Sequence, residues 1–363
     1  MTSIPPEPPS PQGSPPPAAP DDLLPPVEPP TARFLLQLFV VPAIIVAGVV
    51  LLWFTIESLA RSGEQDPDAI LKGLRSNRGF QQAKDLADML NVPERFPELR
   101  SNAELAGKIG EYLIQLVDAG GGADSAVRMR LFLASALGQF QAPDGFPGLI
   151  HAALHDPAAD VRRMAVHQMA QLAATLGQLR PPQTPRDGEL VDALATLAGS
   201  DGNQVGSWTA AALGWIGAGA GADPRIEETL AHLIDDPYTD ARFNAAQALA
   251  RLGNSRAPAA VAEMFDPEAL EASAAAHLTT LGDEGVSAES RAQQRIFKRN
   301  AVLYSALHAI ELMVEADLSR AELAPVEEAL TKFLAAPADE TAPLPGDVRR
   351  GLHLALKRVQ PAP

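Results

Sequence analysis

The sequence contains no cysteine, which excludes disulfide bridges, iron–sulfur clusters and thiolate zinc sites. The absence assigns no compartment, since a cysteine-free chain is at home in cytosol and periplasm alike. Basic residues are also few: Lys and Arg total 29 against 45 Asp and Glu, a formal charge of −16. Binding nucleic acid requires a basic face that neutralises phosphates, so nucleic acid is not an expected ligand. Aromatic residues make up 5% of the chain although hydrophobic residues reach 46%. A core of that composition rests on Ala, Leu, Val and Met, and such small side chains suit closely packed helices better than sheets.

What the chain has in excess is unevenly placed. Residues 1–32 hold thirteen prolines, no Lys or Arg, and the acids Glu7, Asp21, Asp22 and Glu28. Such a stretch buries too little apolar surface to offset its ordering entropy, so a disordered tail biased to polyproline II is expected. The next segment, Phe34–Ile56, runs 23 residues without a charge and with one amide, Gln37. At ~1.5 Å per residue a helix of this length crosses a hydrocarbon core of about 30 Å with a slight tilt. Pro42 is tolerated as a kink inside a membrane, and Trp53 and Phe54 suit an interfacial belt. Ser58-Leu59-Ala60 has the small-x-small form of a signal-peptide cleavage site. The apolar run is too long and its N-terminal flank too acidic for a signal peptide, so a permanent single-pass anchor is expected. Only Arg33 precedes the run closely, whereas Arg61, Lys72, Arg75 and Arg78 follow it. From that asymmetry the C-terminal repeat domain is expected to face the cytoplasm.

From Asp66 onward short amphipathic helices alternate with Gly, Pro and Asp punctuation. DPAADVRRMAVHQMAQLA from Asp156 and DPYTDARFNAAQALARLG from Asp236 match position for position. Their apolar stripes, Val161, Ala165, Met169 and Leu172 against Ala241, Ala245, Leu249 and Leu252, have the spacing of a helix buried along one side. Between them SDGNQVGSWTAAALGWIG carries Val205, Thr209, Leu213 and Ile216 in the same register, and DSAVRMRLFLASALG from Asp124 leads the series. A preceding helix is expected around Phe146–His155, Glu189–Ala198 and Pro224–Ile234. Asp160 and Asp240 are placed to cap the second helices.

The pattern Asp-Pro-x-x-acid-Val-Arg-x-x-Ala, on the second helix of a hairpin of about 35–45 residues, resembles the HEAT repeat of armadillo-type α-solenoids. Its motifs are specific at 156–173 and 236–253 and partial at 124–138 and 200–217, where Gly206 stands in place of the Arg. Pro67–Asn91 and Ala257–Leu281 read as degenerate pairs, the second with its latter helix off register. Longer helices over Ala288–Ala316, Arg320–Leu334 and Asp347–Val359 would cap the array. The expected organisation is therefore a tail (1–32), a transmembrane helix (33–58), a juxtamembrane helical region (59–123), a HEAT-like array (124–281) and capping helices (282–363). The resemblance also implies that Arg130, Arg162 and Arg242, with Asp160 and Asp240, form a ladder between successive hairpins.

No catalytic, cofactor or metal site is expected. His151 and His155 share a helix face but lack a third ligand. HEAT-type enzymes that hold iron use His-Glu pairs, and no His-Glu dipeptide occurs here. Gly120–Gly122 and the Gly-rich run Ala218–Ala222 follow no strand and hold no phosphate-loop lysine. Partner binding is expected around Trp208 and Trp215, seven residues apart on one helix face, with Tyr238 and Phe243 extending the patch if exposed. The expected function is a non-catalytic, membrane-tethered scaffold for a protein or peptide partner, favoured if that partner carries a basic patch. The alternatives are a lyase-type helical-repeat enzyme or accessory, and a structural subunit of a membrane complex. Ala43 and Ala47 offer a small-xxx-small spacing for the latter.

Overall fold

The structure is a computed structural model that describes residues 46–51, 53, 67–92, 96–185, 187–199, 204–220, 223–281, 287–336 and 344–360. The chain divides into two units, Met1–Gly63 and Glu64–Pro363. In the first, residues 46–51 and Trp53 are helical and their side chains are exposed, Leu51 at 65% and Trp53 at 68%. The rest of Phe34–Ile56 and the whole proline-rich tail lie outside the described residues. Among the described residues no helix is long and apolar enough to cross a membrane.

Local chemistry sets where the helices of the second unit begin. Asn102, Asp187, Asp223, Ser287 and Ser319 each accept a hydrogen bond from a first-turn backbone N–H, and Ser319 forms a reciprocal capping box with Glu322. Pro224 occupies the first position after its cap, where its missing N–H costs nothing. Gly120 and Gly253, both at φ 66°, turn the chain away two residues beyond a helix end, a conformation that glycine adopts without strain.

The described residues form no strand. Sixteen α-helices follow in order: α1 Pro67–Leu74, α2 Gly79–Leu90, α3 Pro97–Arg100, α4 Ala103–Asp118, α5 Asp124–Leu137, α6 Phe146–His155, α7 Ala159–Gln178 and α8 Gly188–Ala198. They continue as α9 Val205–Ala220, α10 Pro224–Leu233, α11 Thr239–Arg251, α12 Ala257–Glu263, α13 Pro267–Leu281, α14 Ala288–Glu315, α15 Arg320–Ala335 and α16 Gly346–Val359. Helices α1, α4, α6, α8 and α10 stack in one layer, and α2, α5, α7, α9, α11, α14 and α16 in the other. The arrangement is compatible with an α-solenoid. Val161, Ala165, Met169, Leu172, Thr209, Leu213, Ala241, Ala245 and Leu249 are almost wholly buried, so the helical stripe does face the neighbouring layer. Small residues let the helices approach closely. A Cβ on Gly148 would lie 2.6 Å from Gly110 Cα, and one on Gly214 would lie 2.6 Å from Ala248 Cβ.

Two expectations are corrected. Asp160 and Asp240 cap nothing: α7 and α11 follow Ala158 and Tyr238, neither of which makes a side-chain cap. The turn is held instead by Asp156 and Asp236, whose carboxylates accept the N–H of Ala158 at 2.8 Å and of Tyr238 at 2.7 Å. These acids sit two residues before the N–H they bind, the geometry of an Asx turn. The pair Ala257–Leu281 is also not a hairpin of the stack. Helix α13 packs chiefly on α14, and it is α14 that takes the place beside α11. The long apolar face of α14 (Val302, Leu303, Ala306, Ile310 and Met313, all buried) fills that position better than the Ala-rich α13.

The arginine row is structural. Arg130 reaches from α5 to Asp156 beyond α6, with Nε 2.6 Å and an Nη 3.2 Å from the carboxylate oxygens. Arg162 and Arg242 donate to the carbonyls of Asp156 and Asp236 with the same 2.8 Å geometry. Arg242 then continues to Glu263 at the end of α12, 2.6 Å away. Neither Asp160 nor Asp240 joins the ladder expected to include them: Asp160 pairs with Arg163 on its own helix, and Asp240 turns away from the arginine row. Asp240 joins a cleft.

Candidate functional site

Because α13 stands off the stack, a cleft of about 340 Å³ opens between α9, α11, α13 and α14. Its walls are aromatic: Trp208 from α9, Tyr238 and Phe243 at the start of α11, and Phe297 from α14. Phe297 is 66% exposed, large for an apolar ring in a helix whose other face is core. Trp208 and Tyr238 are half-buried. The expectation that Phe243 would be an exposed contact is corrected. It is 3% exposed and supports the wall from behind, because position 243 falls on the buried side of α11.

Trp215 does not join the cleft. Two turns further along α9 it carries the guanidinium of Arg251, 3.7 Å above the ring centroid, and packs over Gly177. Burial pushes Arg251 down to about 10. A cation held in that way is a packing element rather than a recognition group. Seven residues put both tryptophans on one side of the helix, but different neighbouring helices cover the two ends.

The polar groups of the cleft are tied together. Asp240 accepts from Ser273 Oγ at 2.5 Å and pairs with Lys298 Nζ at 2.7 Å, joining α11 to α13 and α14. Asn244 Nδ2 donates to the hydroxyl of Ser207 at 2.8 Å and to its carbonyl at 2.9 Å, fastening α11 to α9. Burial first, and the Asp240 carboxylate second, push the Tyr238 phenol up, which keeps it neutral and able to donate. Ser273 is fully buried and hydrogen-bonded to a carboxylate, so it is not a nucleophile awaiting a substrate. Behind Trp208 the ring of His167 lies 4.3 Å away, and burial holds its pKa below the ordinary value. The whole is an apolar, aromatic recess with a satisfied ion pair in one wall.

The sequence reasoning reached Trp208, Tyr238 and Phe243 but missed Phe297 and Lys298. Their signal was present, as a large apolar pair inside the basic run Arg-Ile-Phe-Lys-Arg of α14, yet its meaning depends on α14 reaching α11. The HAALH pair lies elsewhere, on α6. Its rings sit 4.8 Å apart, and His151 Nε2 is 2.7 Å from Asp118 Oδ1. Among the described residues no group of three His, Cys, Asp or Glu side chains is placed to hold a metal.

No family model matches the chain, and no curated protein matches it. Among solved structures it is similar to two engineered proteins determined by the Northeast Structural Genomics Consortium. One is 17% identical with a TM-score of 0.31, over 76% of this chain and 96% of the other. The second is 15% identical with a TM-score of 0.22, over 81% and 98%. Similarity at that level carries no functional argument.

Proposed function

We propose that the chain is a membrane-tethered, HEAT-like scaffold, non-catalytic, that binds a protein or peptide partner through an apolar side chain seated in the Trp208–Phe297 cleft. The observation that carries this reading is Phe297, a large ring left 66% exposed at the mouth of an aromatic recess. A volume of about 340 Å³ is at the small end of ligand sites and suits one or two anchor side chains. Aromatic anchors in such pockets supply most of the energy of a small interface. The repeated Asp-Pro turns and the two-layer stack support the HEAT reading. The uncharged run Phe34–Ile56 supports the tether. Confinement to a membrane plane raises the effective concentration of the cleft for a partner held there, and the charge of −16 favours one with a basic patch.

The test places a photo-crosslinking phenylalanine derivative at position 297 of the full chain in native membranes. One covalent partner is expected, lost in Trp208→Ala and absent when the crosslinker stands at Val92, an exposed residue of another surface. Equal capture at Val92, or capture indifferent to Trp208→Ala, would refute the cleft. Release of the protein from membranes by alkaline carbonate would refute the tether.

A further inference from the structure

A second and larger cleft, of about 840 Å³, takes the opposite face of α14 from the first and lies between α12, α13, the start of α14, the end of α15 and α16. Its floor is apolar, with Phe265 and Leu270 buried and Ile296 and Phe333 half-buried. Among the described residues its rim carries Arg295, Arg299, Lys332 and Arg349 with two acids, Asp266 and Glu271. In a chain of net charge −16 this local excess of cations runs against the whole. The two acids are moreover committed. Glu271 pairs with Arg295 at 3.0 Å, and Asp266 caps α13 by accepting from the N–H of Glu268 and Ala269. Lys332 and Arg349 come from different helices and stand exposed at the same opening.

An apolar floor under a cationic rim is complementary to a molecule that is apolar along its body and negatively charged at one end. Its volume lies within the range of sites that enclose a ligand of some tens of atoms. A lysine and an arginine that line one opening from two helices offer charge-assisted hydrogen bonds to a carboxylate. We infer that this cleft binds a single-chain anionic amphiphile, a long-chain carboxylate, with the acyl chain along Phe265, Leu270 and Phe333 and the head group at Lys332 and Arg349. The inference is independent of the partner proposed for the Trp208 cleft, since the two sites share no lining residue.

The experiment uses the full chain in zwitterionic nanodiscs and a diazirine-bearing palmitic acid, with its methyl ester as control. Photolysis is expected to place adducts on peptides covering 262–274, 292–299 or 329–353, at least about fivefold more from the acid than from the ester. Lys332→Glu with Arg349→Glu is expected to remove that preference, while the circular dichroism melt stays in place because both side chains are exposed. Adducts confined to other peptides, or equal labelling by acid and ester, would overturn the inference. So would a carbodiimide cross-link from Lys332 to a carboxylate of this chain, in the same or a second copy, since the cleft would then already be filled.

Discussion

Arg130 and Asp156 stand 26 positions apart and meet in a two-pronged ion pair whose side chains are 1% and 0% exposed. The pair ties the second helix of one hairpin to the Asp-Pro turn of the next, and Asp156 simultaneously holds that turn through the N–H of Ala158. Desolvating two charges is costly, so the pair matters more for what its breakage would do than for what it contributes intact. Arg130→Met leaves a buried carboxylate and is expected to cost about 3–5 kcal/mol. Arg130→Met with Asp156→Asn removes both charges, keeps the acceptor for Ala158, and should melt higher than the single variant. A double variant no more stable than the single would show that the charge itself is not what the site protects.

Close helix approach makes a second prediction. Gly214 meets Ala248 with no room for a methyl, since a Cβ would fall 2.8 Å from Ala248 Cα. Gly214→Ala is therefore expected to destabilise by about 1–3 kcal/mol despite the better helix propensity of alanine. Gly122, with nothing within 4 Å of an added Cβ, should accept the same change within about 0.5 kcal/mol. Chemical denaturation of both variants gives the comparison.

A third concerns Gly177 and Trp215. A Cβ at 177 would lie 2.7 Å from Trp215 Cε3, so Gly177→Ala is unfavourable while the indole is pinned beneath Arg251. In a Trp215→Ala background the obstruction is gone, and the same substitution should become stabilising by up to about 1 kcal/mol. A double-mutant cycle reads the coupling directly. An identical cost in both backgrounds would mean that something other than the Trp215 ring opposes the added methyl group.

Acid should weaken the fold near the tryptophan cleft. Burial lowers the pKa of His167, and burial followed by the Arg251 charge lowers that of His308. Histidine in the unfolded chain takes its proton near 6.5 whereas the folded state resists until lower pH. Stability is then complete above about 6.5 and declines as pH falls from there towards the folded values. Melting temperature measured from pH 8 to 5 should drop less in His167→Phe, which keeps the ring against Trp208. A drop of equal size in that variant would place the titration elsewhere.

The sequence by itself determined whatever depends on neighbours a few residues apart. An Asp-Pro step stops a helix, and an acid two residues ahead of a free N–H closes a turn. A recurrence of four then three apolar positions defines a buried stripe. Helices α6, α8 and α10 therefore fall within one residue of their expected bounds, and the all-helical class was legible in the shortage of aromatics and the wealth of Ala and Leu. The tertiary structure alone decided what depends on which stripe wins a place in the stack. Asp160 and Asp240 hold the same position in the repeat. Yet Asp160 stays exposed beside Arg163, and Asp240 meets Lys298 across 58 residues. That difference arises because α14 presents a longer apolar face to α11 than α13 does. Competition between two helices for one surface is settled by buried area and packing, quantities that no local spacing contains.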